Sequence, residues 1–138
     1  MDLKLVQGLL LFNVLSTQRL SRLFEEACPQ RYAKGAVLFR QGERAEAIWI
    51  VLKGWVHLIR AAEDAAADRS TVIFTITPDE ALCGISAIES GTYNLSAVAA
   101  TDCEVVRIPG GAFTHALKKE PKFAYQAVRL CARRMQHI

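Results

Sequence analysis

From Leu15 onward the apolar positions recur at helical spacing. Leu20, Leu23, Phe24 and Ala27 fall on one face of a helix. Ser16 stands before them as an N-cap, and Leu15 and Leu20 occupy the two positions of a hydrophobic staple. Pro29 cannot continue the helix, so the spacing predicts an end near Cys28. From Gln30 to about Ile108 the period changes. Short β-branched and aromatic runs alternate with glycines: Val37–Phe39, Ile48–Leu52, Trp55–Ile59 and Thr71–Ile76. Ala61–Arg69 reads as a hairpin tip and Pro78-Asp79-Glu80 as a turn. Ala81–Gly91 lacks strand character and is expected to hold one short helical turn. Leu95–Ala100 and Cys103–Ile108 are expected to pair as the last two strands. Strands this short and closely spaced predict a compact antiparallel roll or barrel.

Helical spacing returns after Pro109-Gly110-Gly111. Ala112–Lys118 reads as a short helix, and Pro121 suits the first turn of a longer one running from Lys122 to the end. On that last helix Ala124, Val128, Cys131, Met135 and Ile138 step by alternating fours and threes, the seam of a short coiled coil. Phe123, Ala127 and Leu130 form a second apolar stripe beside it. The simplest assignment gives one stripe to the helix's own domain and the seam to a twin helix in a homodimer. The alternative is one wide stripe buried inside the monomer.

The chain is the size of one domain, with residues 1–28 as an N-terminal helical part, 30–108 as the roll and 110–138 as the C-terminal helices. The longest apolar run near the start, Leu9–Phe12, is too short to span a bilayer, and Gln7, Gly8 and Asn13 interrupt any secretory core. A cytoplasmic protein without a membrane partner is expected. Cys28, Cys83, Cys103 and Cys131 form no C-x-x-C clip, and read as reduced, small hydrophobes. The net charge of +3 comes from scattered basic residues, so this segment alone is not expected to hold DNA.

Several runs, taken in order, resemble a known family. Residues 34–43, Lys-Gly-Ala-Val-Leu-Phe-Arg-Gln-Gly-Glu, resemble the first hairpin of cyclic-nucleotide-binding domains. Residues 50–56, Ile-Val-Leu-Lys-Gly-Trp-Val, resemble the next turn, and residues 99–105 the last strand pair. Ala132-Arg133-Arg134-Met135-Gln136 resembles the long helix of Crp/Fnr-type transcription regulators. The resemblance spans residues 11 to 138. It implies a mainly β fold with flanking helices: a β-roll of the jelly-roll, or double-stranded β-helix, type, with an N-terminal helix and a long C-terminal dimerisation helix. It also implies that the roll senses a small effector, that the helix pairs two subunits, and that a helix-turn-helix domain follows downstream, controlled allosterically. A stand-alone ligand or interaction module without a DNA role is the alternative.

In nucleotide-binding members a Gly-Glu pair begins the ligand cassette and an Arg-Ser or Arg-Thr pair closes it. Here Gly84 matches, Ile85 stands in the place of the ribose-binding glutamate, and Tyr93 in the place of the phosphate-binding arginine. Between Ala81 and Ala100 there is no lysine or arginine. A buried phosphate needs positive charge or several donors. One lost charge-assisted contact costs about 1.5–3 kcal/mol, roughly ten- to hundredfold in affinity. Cyclic AMP binding of the cassette type is therefore not expected. The pocket implied is lined by Cys83, Gly84, Ile85, Ile88, Tyr93, Asn94 and Leu95, and suits a small, mostly neutral effector of unknown identity. The alternative is that these side chains simply fill the roll.

Other chemistry finds little support. His57 or Cys83 as a haem ligand stays open, although a lone histidine on a strand is ordinarily a surface or hydrogen-bonded residue. No catalytic site, metal site or other cofactor is expected. Ser-His-Asp sets, zinc spacings, His-x-His pairs and glycine-rich phosphate loops are all absent from the sequence, so an enzyme is not expected.

Overall fold

A computed structural model of the chain describes residues 3–61, 70–78, 82–85 and 90–136. Two short helices open it, α1 (Leu3–Gln7) and α2 (Thr17–Leu23). Among the described residues eight strands follow: β1 (Cys28–Tyr32), β2 (Val37–Phe39), β3 (Ala47–Lys53), β4 (Val56–Ala61), β5 (Ser70–Ile76), β6 (Leu82–Cys83), β7 (Ser96–Ala99) and β8 (Cys103–Pro109). Two helices close it, α3 (Gly110–Lys119) and α4 (Pro121–Met135). The strands form two antiparallel four-stranded sheets, ordered β1-β8-β3-β6 and β2-β7-β4-β5. The expected β-roll with flanking helices is the architecture found.

The alternation along β3 explains why its sequence is apolar without a break. Ile48 and Ile50 face the helices, whereas Ala47, Trp49 and Val51 face the interior between the two sheets. A strand buried on both faces has no polar side. On β8, Val106 and Ile108 join the helix-side core, while Cys103 and Val105 join the interior of the roll. The helix side is held largely by phenylalanines. Phe12 meets Phe24 edge-on at 5.3 Å and stacks on Phe123 at 5.7 Å, and Phe113 meets Phe123 at 5.3 Å. These contacts fasten the N-terminal segment to α3 and α4. Gln126 adds a hydrogen bond from its Nε2 to the Leu10 carbonyl, 2.9 Å.

Three expectations about elements are corrected. The first helix ends at Leu23, not near Cys28; Phe24 leaves helical geometry and a turn runs on to Ala27. Cys28 and Pro29 then belong to β1. Proline is tolerated there because, among the described residues, β1 lies at the edge of its sheet and pairs only with β8. Leu82–Cys83, expected to lack strand character, pairs with Ile50 and Trp49 of β3. Finally, β7 and β8 do not pair with each other. β7 lies between β2 and β4, and β8 between β1 and β3.

The reason for the last correction is a double crossing at one corner of the roll. The links from β3 to β4 and from β7 to β8 pass between the sheets side by side. Thr101 Oγ1 accepts from the Trp55 amide at 3.0 Å, and the Ala100 amide donates to the Trp55 carbonyl at 2.9 Å. Gly54 has a φ of 84°, and a Cβ there would collide with the Asp102 carbonyl. Glycine is therefore required on both conformational and steric grounds. The tip expected at Ala61–Arg69 lies mostly outside the described residues, although β4 and β5 pair across it from Ala61–Ser70 inward. The same holds for Asp79, Glu80 and Ser86–Glu89.

Candidate functional site

The pocket residues expected from the sequence divide between the two cores. Cys83, Tyr93 and Leu95 are buried in the interior of the roll. Ile85 instead packs against the helix-side core. Asn94 is exposed, and Ile88 lies outside the described residues. Gly84 sits between, at a φ of 93°, with room for no more than close contact: a Cβ would lie 3.3 Å from the Tyr93 ring.

Tyr93 is the most constrained of the set. Its hydroxyl donates to the Ala47 carbonyl at 2.8 Å and accepts from Trp49 Nε1 at 3.3 Å. Its ring stacks on Phe39 with centroids 3.8 Å apart. The backbone holds it as well. The Tyr93 amide donates to Glu43, and the Gly42 amide donates to Tyr93, at 3.0 and 2.8 Å. Tyr93 therefore knots the 91–95 segment to the β2–β3 connection and to β3 itself. Trp49, in turn, carries the Arg107 guanidinium over its ring at 5.7 Å.

Cys83 is fully buried. Burial pushes its thiol up to about 12, opposed in part by the positive charge of Arg134. Arg134 was not among the residues expected at the site. It comes from the last turn of α4 and is itself 8% exposed. The same charge acts on Cys131, whose thiol burial also pushes upward. One signal was available in the sequence: Arg134 continues the stripe of Phe123, Ala127 and Leu130 at helical spacing, a cation in an apolar series. Phe39 and Trp49 were read as strand core and not as neighbours of the site. Only tertiary packing brings them to Tyr93.

On α4 the two stripes are separated. Phe123, Ala127, Leu130 and Arg134 are buried. Val128 and Met135 of the seam are 62% and 70% exposed, and Ala124 and Cys131 are half-buried. Tyr125, at 65%, extends the exposed apolar face. The stripes are thus not one wide buried face. Ile138 lies outside the described residues.

The pairing of β3 with β8 and of β4 with β7, closed by two C-terminal helices, is matched by sequence. A profile described as the cyclic nucleotide-binding domain covers residues 29–120. The chain belongs to the cyclic nucleotide-binding domain family. Two curated relatives match nearly the whole chain. A CRP-like cAMP-activated global transcriptional regulator of Mycobacterium tuberculosis is 22% identical over 126 residues, 91% of this chain and 55% of that protein. The cyclic AMP receptor protein of Thermus thermophilus is 24% identical over 131 residues, 95% of this chain and 59% of that one. The chain therefore spans somewhat more than half the length of these relatives. Among solved structures, the sensor domain of the transcriptional regulator DNR from Pseudomonas aeruginosa has the same fold. Its TM-score is 0.81 at 21% identity, over 97% of this chain and 88% of that domain. The cyclic nucleotide-binding fold found here is thus the fold of that sensor domain too. No described helix is long and apolar enough to cross a membrane.

Proposed function

We propose that this chain is the effector-sensing and dimerisation region of a Crp/Fnr-type transcription regulator, acting in the cytoplasm on a helix-turn-helix domain that follows it. The observation that carries the reading is the division of α4 into a buried stripe and an exposed apolar seam. A helix that packs Phe123, Ala127 and Leu130 on its own domain and leaves Tyr125, Val128 and Met135 open is suited to pair with its twin. Support also comes from the relatives, which are regulators of this type.

The effector of this reading is small, mostly neutral and held by apolar groups near Cys83 and Tyr93. It is not a cyclic nucleotide bound through the phosphate cassette, since Ile85 and Tyr93 replace the acidic and basic anchors. Arg134 supplies the link to output. It is buried in the last turn of α4, and its charge opposes the upward shift of both the Cys83 thiol inside the roll and the Cys131 thiol at the seam, which puts it between the two regions this reading connects. Allostery of this kind requires that the effector bind two arrangements of the helices with different affinity. A second reading is favoured by the packing of Tyr93: both functions of its hydroxyl are satisfied and its ring is stacked. In that reading the roll is filled and takes no ligand.

The test compares this chain with the longer product of its gene on DNA. The longer product is expected to bind a two-fold-symmetric site, and this chain alone to show only weak, salt-sensitive association. Equal binding by both, or a gene that ends at Ile138, would defeat the regulator reading. Mass spectrometry of ligand carried through purification decides between the occupied and the filled roll.

A further inference from the structure

A cavity of ≈ 320 Å³ lies between α2 and α3, on the helix side and away from the roll interior. Its floor is apolar: Leu15 and Leu23 from the N-terminal segment, Ala112 and Ala116 from α3. The two alanines fall four residues apart on one face of α3, and their methyl groups leave the gap to α2 unfilled. Its rim is basic, with Arg19 and Arg22 on one wall and His115 and Lys119 on the other. Among the described residues Glu120 is the one carboxylate lining it, and Arg19 already engages Glu120 in an ion pair. Arg22, His115 and Lys119 have no carboxylate partner among the described residues. Apolar floor and uncompensated positive rim together describe one kind of occupant.

We infer that this cavity binds a small amphiphile with a single anionic head, carboxylate or phosphate, on an apolar tail. The tail lies along Leu15, Leu23, Ala112 and Ala116, and the head meets Arg22 and Lys119. Burying the tail supplies non-directional attraction, while the cationic rim selects the sign of the head. The volume is at the low end of ordinary small-molecule pockets, enough for a single short apolar chain and its head. Glu120 joins α3 to α4, so the site sits where the N-terminal segment meets the root of the proposed dimer helix. Occupancy of this site does not depend on dimerisation or on any effector in the roll.

Calorimetry with decanoate, decyl phosphate, decylamine and decanol, each below its aggregation concentration, tests the inference. Both anions are expected to bind, and at least one about tenfold tighter than the amine and the alcohol. Their relative affinity identifies the preferred head. The doubly reversed variant Arg22→Glu with Lys119→Glu should weaken anion binding about tenfold or more, and Ala116→Leu should do the same by filling the floor. Arg40→Glu, an exposed charge reversal elsewhere, should leave binding unchanged. Circular dichroism establishes that each variant is folded. Absence of anion binding, equal binding of all four probes, or full affinity in the folded double variant would overturn the inference.

Discussion

Cys83 shows how one residue's surroundings become a property of the whole domain. Its thiol is fully buried and is held neutral well beyond the range of a free cysteine, to about 12 from an ordinary value of 9.0. In the unfolded chain the same thiol ionises above its ordinary value. The folded form then binds more protons than the unfolded form, and stability falls as pH rises from about 9 toward 12. The slope for one such thiol is at most about 1.4 kcal/mol per pH unit. Cys131 shifts in the same direction and adds to the loss. Denaturant melts between pH 8 and 10.5 are expected to show this decline, and Cys83→Ala should flatten it while lowering stability near neutrality. An unchanged slope in that variant would mean that the thiol is not held neutral by the fold. Exposed Cys28 should react with thiol reagents in the native protein at pH 8, and Cys83 should not.

At the scale of elements, α4 carries the sharpest contrast. Val128 is 62% exposed and Leu130, two residues on, is 5% exposed. Val128→Asp is therefore expected to leave the domain folded, within about 0.5 kcal/mol. It should nevertheless turn a dimer into a monomer, since the pairing would bury two unpaired carboxylates face to face. Leu130→Asp places its carboxylate in the helix-side core and should unfold the domain at ordinary temperature. Sedimentation and thermal melts separate the two outcomes. A Val128→Asp protein that remains dimeric, or a native domain that is monomeric at high concentration, would remove the seam from the account. The start of α2 behaves as its sequence spacing requires. Ser16 Oγ accepts from the Arg19 amide at 3.2 Å, and both members of the staple, Leu15 and Leu20, are buried.

For the molecule as a whole, the family supplies a fold and leaves the ligand open. The resemblance puts Ile85 in the place of the cassette's glutamate and Tyr93, whose ring stacks on Phe39, in the place of its arginine. Cyclic AMP and cyclic GMP are expected to bind this chain weakly. Calorimetry that returned a dissociation constant near a micromolar, about −8 kcal/mol, would show that other donors compensate. An effector that does bind should raise the melting temperature, and the rise should keep growing with the logarithm of its concentration above the dissociation constant.

What the sequence determined by itself was mostly local. The N-cap at Ser16, the strand cores, the helix start at Pro121 and the two stripes of α4 each follow from spacing within one element. The ends of elements and the pairing of strands were decided elsewhere. Alternation of side chains is the same whether β7 pairs with β8 or with β4, so period alone could not choose. The choice was made at the corner where Gly54 admits the Asp102 carbonyl and both crossings leave one sheet for the other. Pro29 likewise reads as a breaker until β1 is known to be an edge. The candidate site divides in the same way. Gly84 was legible as a match to a family pattern, and Ile85 and Tyr93 as departures from it. That Ile85 turns to the helix side, that Tyr93 reaches Ala47 and Trp49, and that Arg134 is buried with its charge acting on Cys83 were not. Those placements depend on contacts between residues far apart in the chain, and only the closed roll with its helices packed against it brings them together.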